Sequence, residues 1–168
     1  MPHRIISSGM VLVIWLAALP AAAYRTRDLA YLLEANRCPN CDLSGVDLKQ
    51  SSLPQADLSG ANLQKAQLFN ADLTQANLSG ANLDRAYLSG ANLAAADLSE
   101  ATLIHAYLSQ TSLREVNFQG AQLRGAIFSG ADLEGADFEG ADLSAAILYS
   151  ARFCNTTMPD GTVRNDDC

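Results

Sequence analysis

Ala71-Asp72-Leu73-Thr74-Gln75-Ala76-Asn77-Leu78-Ser79-Gly80-Ala81-Asn82-Leu83-Asp84-Arg85 is one five-residue phrase spoken three times. Alanine opens the unit, Asp or Asn follows, leucine stands third, and two polar or small residues close it. The phrase runs on in both directions without gap or insertion. Stepping by five from Leu43 reaches Phe153 in 23 marks, of which leucine holds 19 and Phe118, Phe128, Phe138 and Phe153 the rest. Two places before the mark the residue is alanine in 18 units, the others being Cys41, Val46, Ser51, Thr111 and Val116. The slot between them is Asp or Asn in 13. Periodicity this strict is the signature of a repeat architecture.

Five matches neither regular period. On an α-helix, marks five apart wander around the axis. On a flat strand, an odd spacing switches faces. Within one unit, however, alanine and leucine are two apart and share a side of a short extended piece. The two residues that follow must then turn the chain, and Ser-Gly suits a tight turn. Piece and turn in alternation wind the chain around an axis with alanine and leucine inside. One unit cannot bury its leucine alone, so stability comes from stacked coils.

Tandem Ala-(Asp/Asn)-Leu-x-x over 41–153 resembles the pentapeptide repeat proteins. The resemblance implies an all-β fold, a right-handed quadrilateral β-helix with one unit per side and twenty residues per lap. The 23 units then make nearly six coils, a rod about 28 Å long at a strand spacing of ~4.8 Å. Each buried leucine contributes roughly 1.5–3 kcal/mol. The alanine positions leave no room for bulk.

The chain divides into a signal peptide at 1–23, a capping helix with linker at 24–40, the repeat at 41–153 and a tail at 154–168. Arg4, the apolar run from Met10 to Leu19 and the triplet Ala21-Ala22-Ala23 predict a secretory signal cut after Ala23. The alternative is an uncleaved anchor, for which the run is short against the ~20 residues of a span. No second apolar segment follows, so no membrane is expected after cleavage. Residues 26–36 read as a helix, with Thr26 as its N-cap, Asp28 in its first turn and Pro39 as its stop. Leu29, Leu32 and Leu33 share a face at helical spacing. An open β-helix end invites aggregation, so this helix is most simply a lid on the first coil. A membrane-surface or partner helix is the other reading.

Four cysteines sit at the two ends. Cys38-Pro39-Asn40-Cys41 is a structural clamp, a redox pair or half of a zinc site. No βαβ context supports redox chemistry, and no second pair of ligands lies nearby in the sequence. In a rod of the implied length Cys38 and Cys41 lie far from Cys154 and Cys168, so neighbours pair with neighbours. An even count of cysteines agrees with an oxidising compartment. In the tail, Pro159-Asp160-Gly161 is a turn signal. It predicts a small hairpin over the last coil, tied by Cys154–Cys168. Asn155-Thr156-Thr157 matches a glycosylation sequon, read as incidental.

Twenty residues per lap stacks the outward slots in columns. Asp57, Asn77, Asp97, Asn117 and Asp137 form one, with Glu100 and Glu139 nearby; alternation keeps the carboxylates two coils apart, as a solvated polar ladder. The opposite column is Asp47, Gln67, Tyr87, Tyr107, Ile127 and Ile147, flanked by Phe69 and Tyr149. Tyr87, Tyr107, Ile127 and Ile147 are the candidate partner surface, because an exposed apolar stripe marks a partner, a dimer contact or a covering segment. The tail folding back over Ile127 and Ile147 is the competing account. Lys65, Arg85 and His105 stack at one corner, a strip too small for a nucleic-acid footprint.

The formal net charge is −7. Apart from His3, only His105 could serve as an imidazole base, and no nucleophile–base pair, phosphate loop or metal-spaced cluster appears. No enzyme, cofactor or nucleic-acid partner is expected. Three functional readings remain. The first is an exported scaffold that binds an unknown protein partner or forms a weak homodimer. Its lead-in and tail resemble cyanobacterial and plastid members of the periplasm or thylakoid lumen; in another organism it would be extracellular. The second is an acidic DNA mimic that inhibits DNA gyrase, similar to the quinolone-resistance members. The third is a thiol redox protein acting through Cys38 and Cys41.

Overall fold

The computed structural model describes residues 25–168. The predicted signal peptide, with His3 and Arg4, lies outside the described residues.

From Arg37 to Thr157 the outward slots bridge in parallel to the slot twenty residues on. They form four columns, one per side of the lap. Each column is a ladder of single-residue bridges rather than a run of strands. Among the described residues the only longer elements are the helix α1 (Thr26–Ala35) and the two short strands β1 (Thr156–Thr157) and β2 (Val163–Arg164). The marks point inward as expected. Leu58, Leu78, Leu93, Phe118 and Phe138 are wholly buried, and the small residues two places before them line the same interior. Phe118 stacks on Phe138 with centroids 4.8 Å apart, and Phe128 meets both rings edge-on. Thr111, at an alanine position, is buried with its hydroxyl donating to the Leu88 carbonyl.

The unit 82–86 shows how the backbone is satisfied. Asn82 N–H donates down to the Ala61 carbonyl, Leu83 N–H up to Thr102, Arg85 N–H up to Ile104, and Ala86 N–H back to Leu83 across the turn. The fifth donor, Asp84 N–H, goes to the Asn82 side chain at 3.0 Å. Buried or half-buried amides need partners, and here each finds one.

The turn residue before each alanine position has positive φ at every unit from Asn40 to Asn155. Glycine supplies some of these, Gly90 at +72° for example, yet most are other residues, Ala95 and His105 among them. The turn geometry is imposed by the ladder on both sides rather than chosen by glycine.

The helix differs from the expectation in three details. Its N-cap is Arg25, without a side-chain cap bond, and Thr26 is already helical. It ends at Ala35, with Asn36 left-handed at the C-cap, so Pro39 is not what stops it. Leu32 is buried and Leu29 half-buried, but Leu33 is 61% exposed. Asp28 does more than complement the helix dipole: its carboxylate accepts from Asp42 N–H at 3.0 Å, while Arg25 N–H donates to the Asp42 carbonyl.

At the other end β1 and β2 form an antiparallel hairpin, Thr156 facing Arg164 and Thr157 facing Val163. Thr157 continues the column of Asp137, and the Arg164 guanidinium sits 3.6 Å over the Phe153 ring. Cys38 is bonded to Cys41 and Cys154 to Cys168, with Cα separations of 5.4 and 4.9 Å.

Candidate functional site

Most outward slots are Asp or Asn, one column turns apolar, and Ser52, Thr102, Ser112, Gln122 and Arg152 fill the rest. All thirteen Asp and Asn slots, Asp42 through Asp142, accept a hydrogen bond from the N–H two residues on, at 2.9–3.3 Å. A short side chain with an oxygen at this place closes an Asx-type turn. It takes the one amide in each unit that the coil-to-coil ladder leaves over. That explains the composition of the slot and gives its carboxylates a structural task. The Ser44, Thr74 and Ser144 hydroxyls, with the backbone amides of the same residues, hold Asp42, Asp72 and Asp142 below the usual carboxylate range. For Asp47 the Lys49 backbone N–H has the largest effect, followed by its ammonium. Along the acidic face, Asn117 donates its amide to Asp97 at 3.1 Å.

The apolar face lacks this device. Gln67, Tyr87, Tyr107, Ile127 and Ile147 follow one another up the rod in bridged pairs. Phe69 stacks on Tyr87 at 5.5 Å, and Tyr87 on Tyr107 at 5.0 Å with planes 7° apart. Tyr107 is 39% exposed, Ile147 48% and Tyr149 78%; Tyr87 and Ile127 are half-buried by their column neighbours. The tail takes a different course from the one that would cover them. Its hydrogen bonds run to Leu133, Ala136, Phe138, Gly140 and Phe153, on the side of the acidic face and the last coil. Among the described residues the N–H groups of Phe69, Ser89, Ser109, Ser129 and Tyr149 find no acceptor.

Lys65, Arg85 and His105 stand exposed at the corner that precedes this face, with Arg124 one coil further on. Of the other described cations, Arg25 and Arg27 are unpaired and Arg37 lies 4.0 Å from Asp57, while the rest are in close pairs. Arg114 and Arg152 each reach both Asp132 and Glu134 at 2.7–3.3 Å, Lys49 meets Asp47 and Arg164 meets Asp166. Sequence reading missed the Arg114–Arg152 cluster. The twenty-residue lap would have found it, since Asp132 and Arg152 share a column.

Cys38 is wholly buried and its sulfur lies 3.3 Å from the Asp28 carbonyl, so the first bridge ties the helix end to the first coil. Among the described residues no group of His, Cys, Asp and Glu side chains could hold a metal ion, and no helix is long and apolar enough to cross a membrane.

The family described as Pentapeptide repeats matches in 8 copies over residues 41–80, 66–103, 91–130 and 128–158. No curated protein matches. Among solved structures the chain is similar to HetL, a pentapeptide repeat protein involved in heterocyst differentiation regulation from the cyanobacterium Nostoc sp. Strain PCC 7120. The two are 33% identical over 76% of this chain and 72% of that one, with a TM-score of 0.39. A pentapeptide repeat protein from the Arabidopsis thaliana thylakoid lumen is 31% identical over 64% of this chain and 66% of its own, with a TM-score of 0.31. QnrB1, a plasmid-mediated fluoroquinolone resistance protein, is 28% identical over 67% of this chain and 68% of its own, with a TM-score of 0.37. These superpositions are loose as wholes, and membership rests on the repeat. With its unbroken units and its lap of twenty residues, the chain belongs to the pentapeptide repeat family, whose fold is the right-handed quadrilateral β-helix.

Proposed function

We propose that this protein is a non-enzymatic, exported scaffold: a rod of nearly six coils, closed by its helix at one end and its disulfide-tied tail at the other. It works by presenting the face of Tyr87, Tyr107, Ile127 and Ile147 to a protein partner. The observation that carries the reading is the run of large apolar slot residues on one side only; elsewhere the slots that depart from Asp or Asn hold the polar residues Ser52, Thr102, Ser112, Gln122 and Arg152. Replacing Asp/Asn by Tyr and Ile on successive coils forgoes a local hydrogen bond each time, and leaves apolar area in water. The fold has no use for that exchange. Two disulfides with no free cysteine among the described residues support an oxidising compartment.

Fractionation and N-terminal sequencing of the native protein test export. The expected N-terminus is Tyr24, in a periplasmic, lumenal or secreted fraction. A cytoplasmic protein with reduced cysteines overturns that part. Crosslinking in the same compartment, repeated with Tyr87→Ser/Tyr107→Ser, tests the face. A folded variant that keeps every crosslink sinks the binding role.

The acidic balance also suits a DNA mimic acting on gyrase. Inhibition of supercoiling near stoichiometry by the purified protein would favour that reading. The redox reading suffers from the burial of Cys38, since exchange needs an accessible sulfur.

A further inference from the structure

The five units that build the apolar face, 66–70, 86–90, 106–110, 126–130 and 146–150, contain no charged residue, in a chain with 18 acidic side chains. The units of the acidic face from 56 to 140 carry Asp57, Asp97, Glu100, Asp137 and Glu139 and no cation, with Arg37 at the foot of the same column 4.0 Å from Asp57. Lys65, Arg85 and Arg124 make no ion pair among the described residues, and all three line one edge of the uncharged face, with His105 between them. Two carboxylates stand near this edge: Asp84, which accepts from the Ile104 N–H at 3.0 Å, and Asp142, whose charge the Ser144 hydroxyl and amide favour and Arg124 helps to favour. The other edge carries the unpaired amides of Ser89, Ser109 and Ser129. The stripe is therefore apolar along its centre, cationic on one side and rich in backbone donors on the other. Its unpaired cations and open amides invite an anion or an acceptor.

The ring geometry narrows the partner. Tyr87 and Tyr107 lie face to face, and Phe69 covers the other side of Tyr87. Both faces of the Tyr87 ring are thus covered, and at the centre of the stripe the rings offer edges and hydroxyls rather than a stacking surface for nucleobases; Tyr149 alone, at the far end, is 78% exposed. Side chains of a polypeptide can pack against ring edges and against Ile127 and Ile147. Backbone carbonyls can meet the free amides, as in strand-addition recognition.

We propose that this face binds an extended acidic polypeptide segment, with apolar side chains against Tyr87, Tyr107, Ile127 and Ile147 and carboxylates against Lys65, Arg85 and Arg124. The inference rests on the binding role proposed above and adds the partner's chemistry. Opposite charge on the rim speeds encounter and selects the partner.

The test is fluorescence anisotropy of the purified protein with three labelled probes: a short alternating Glu-Val peptide, a matched Lys-Val peptide and single-stranded oligothymidylate. The Glu-Val peptide should bind, more weakly as salt rises, and the other two should not. The variant Lys65→Glu/Arg85→Glu/Arg124→Glu, folded by its melting curve, should lose affinity about tenfold. Unchanged affinity in that variant overturns the inference, as does failure of the Glu-Val peptide to bind or preferential binding of the oligonucleotide. Equal binding of both peptides, lost in Tyr87→Ser/Tyr107→Ser, overturns the acidic preference while leaving the binding face in place.

Discussion

The acidic and apolar faces are made from the same unit and carry the same backbone ladder. Asp97 N–H donates to Ala76 and Tyr87 N–H to Ala66, both at 2.9 Å. Inside, both pack the same leucines and phenylalanines. They part only at the slot. On the acidic face the slot oxygen closes the turn amide of its own unit; on the apolar face that amide is left open and the side chain is Tyr or Ile. Winding is thus decided by the interior columns and the ladder, and the slot is a position of modest structural weight. A modest weight is easily given up for another task, which is why the departure from Asp/Asn carries information.

Four substitutions and one titration probe this contrast. The largest effect belongs to the interior both faces share. Leu93→Asp puts an unpaired carboxylate at a fully buried mark and should cost at least ~4 kcal/mol or abolish folding. An unchanged thermal melt would refute the inward columns. Phe118→Ala removes the ring stacked on Phe138 and should cost about 3–5 kcal/mol, read by denaturant unfolding. The slot comes next, and its sign should depend on the face. Asp97→Ala frees Ser99 N–H and should destabilise by about 1 kcal/mol. Ile147→Asn supplies Tyr149 N–H with the oxygen it lacks, so it should stabilise by up to ~1 kcal/mol while weakening partner binding. If both slot changes destabilise alike, the two faces do not differ as described.

The titration has the smallest expected effect. Asp42, Asp47, Asp72 and Asp142 have folded pKa values lowered from 3.8. A lowered folded value adds stability that is present above the unfolded pKa and lost as pH falls through the folded one. Acid melts should therefore show a decline starting near pH 3.8 and continuing below it. The decline should be shallower in a variant with these four aspartates changed to asparagine, which keeps the turn acceptor without the charge.

The lap, the inward columns and the membership of each outer face are legible in the sequence, because a strict period leaves each residue one place to go. The hairpin is legible too, through Pro159-Asp160-Gly161. What the period does not reveal depends on contacts made by single atoms. The turn bond from each Asp or Asn to the amide two residues on is invisible as composition, since the same residues suit a solvated surface. Glycine at some turn positions suggests that glycine sets the turn, whereas Ala95, His105 and many others adopt the same φ under pressure from neighbouring coils. At the helix, Thr26 has the better capping chemistry, but Arg25 N–H is held by the Asp42 carbonyl, and this tertiary bond places the helix start. Leu33 has the right spacing to be buried, yet the first coil has room for Leu29 and Leu32 only. The tail's course is open from sequence, because a hairpin of fixed shape can lie against either side of its last coil.

The bridges that join each slot to the slot twenty places later also govern how such a molecule can change length. A single inserted amino acid would put every later leucine in the wrong role. Five inserted together would preserve the core but swing all that follows by a quarter turn, cutting the tyrosines off from the isoleucines. Only an insertion of twenty leaves every surface in line, so growth by duplication comes in whole storeys, each adding one more rung to whatever the sides already recognise.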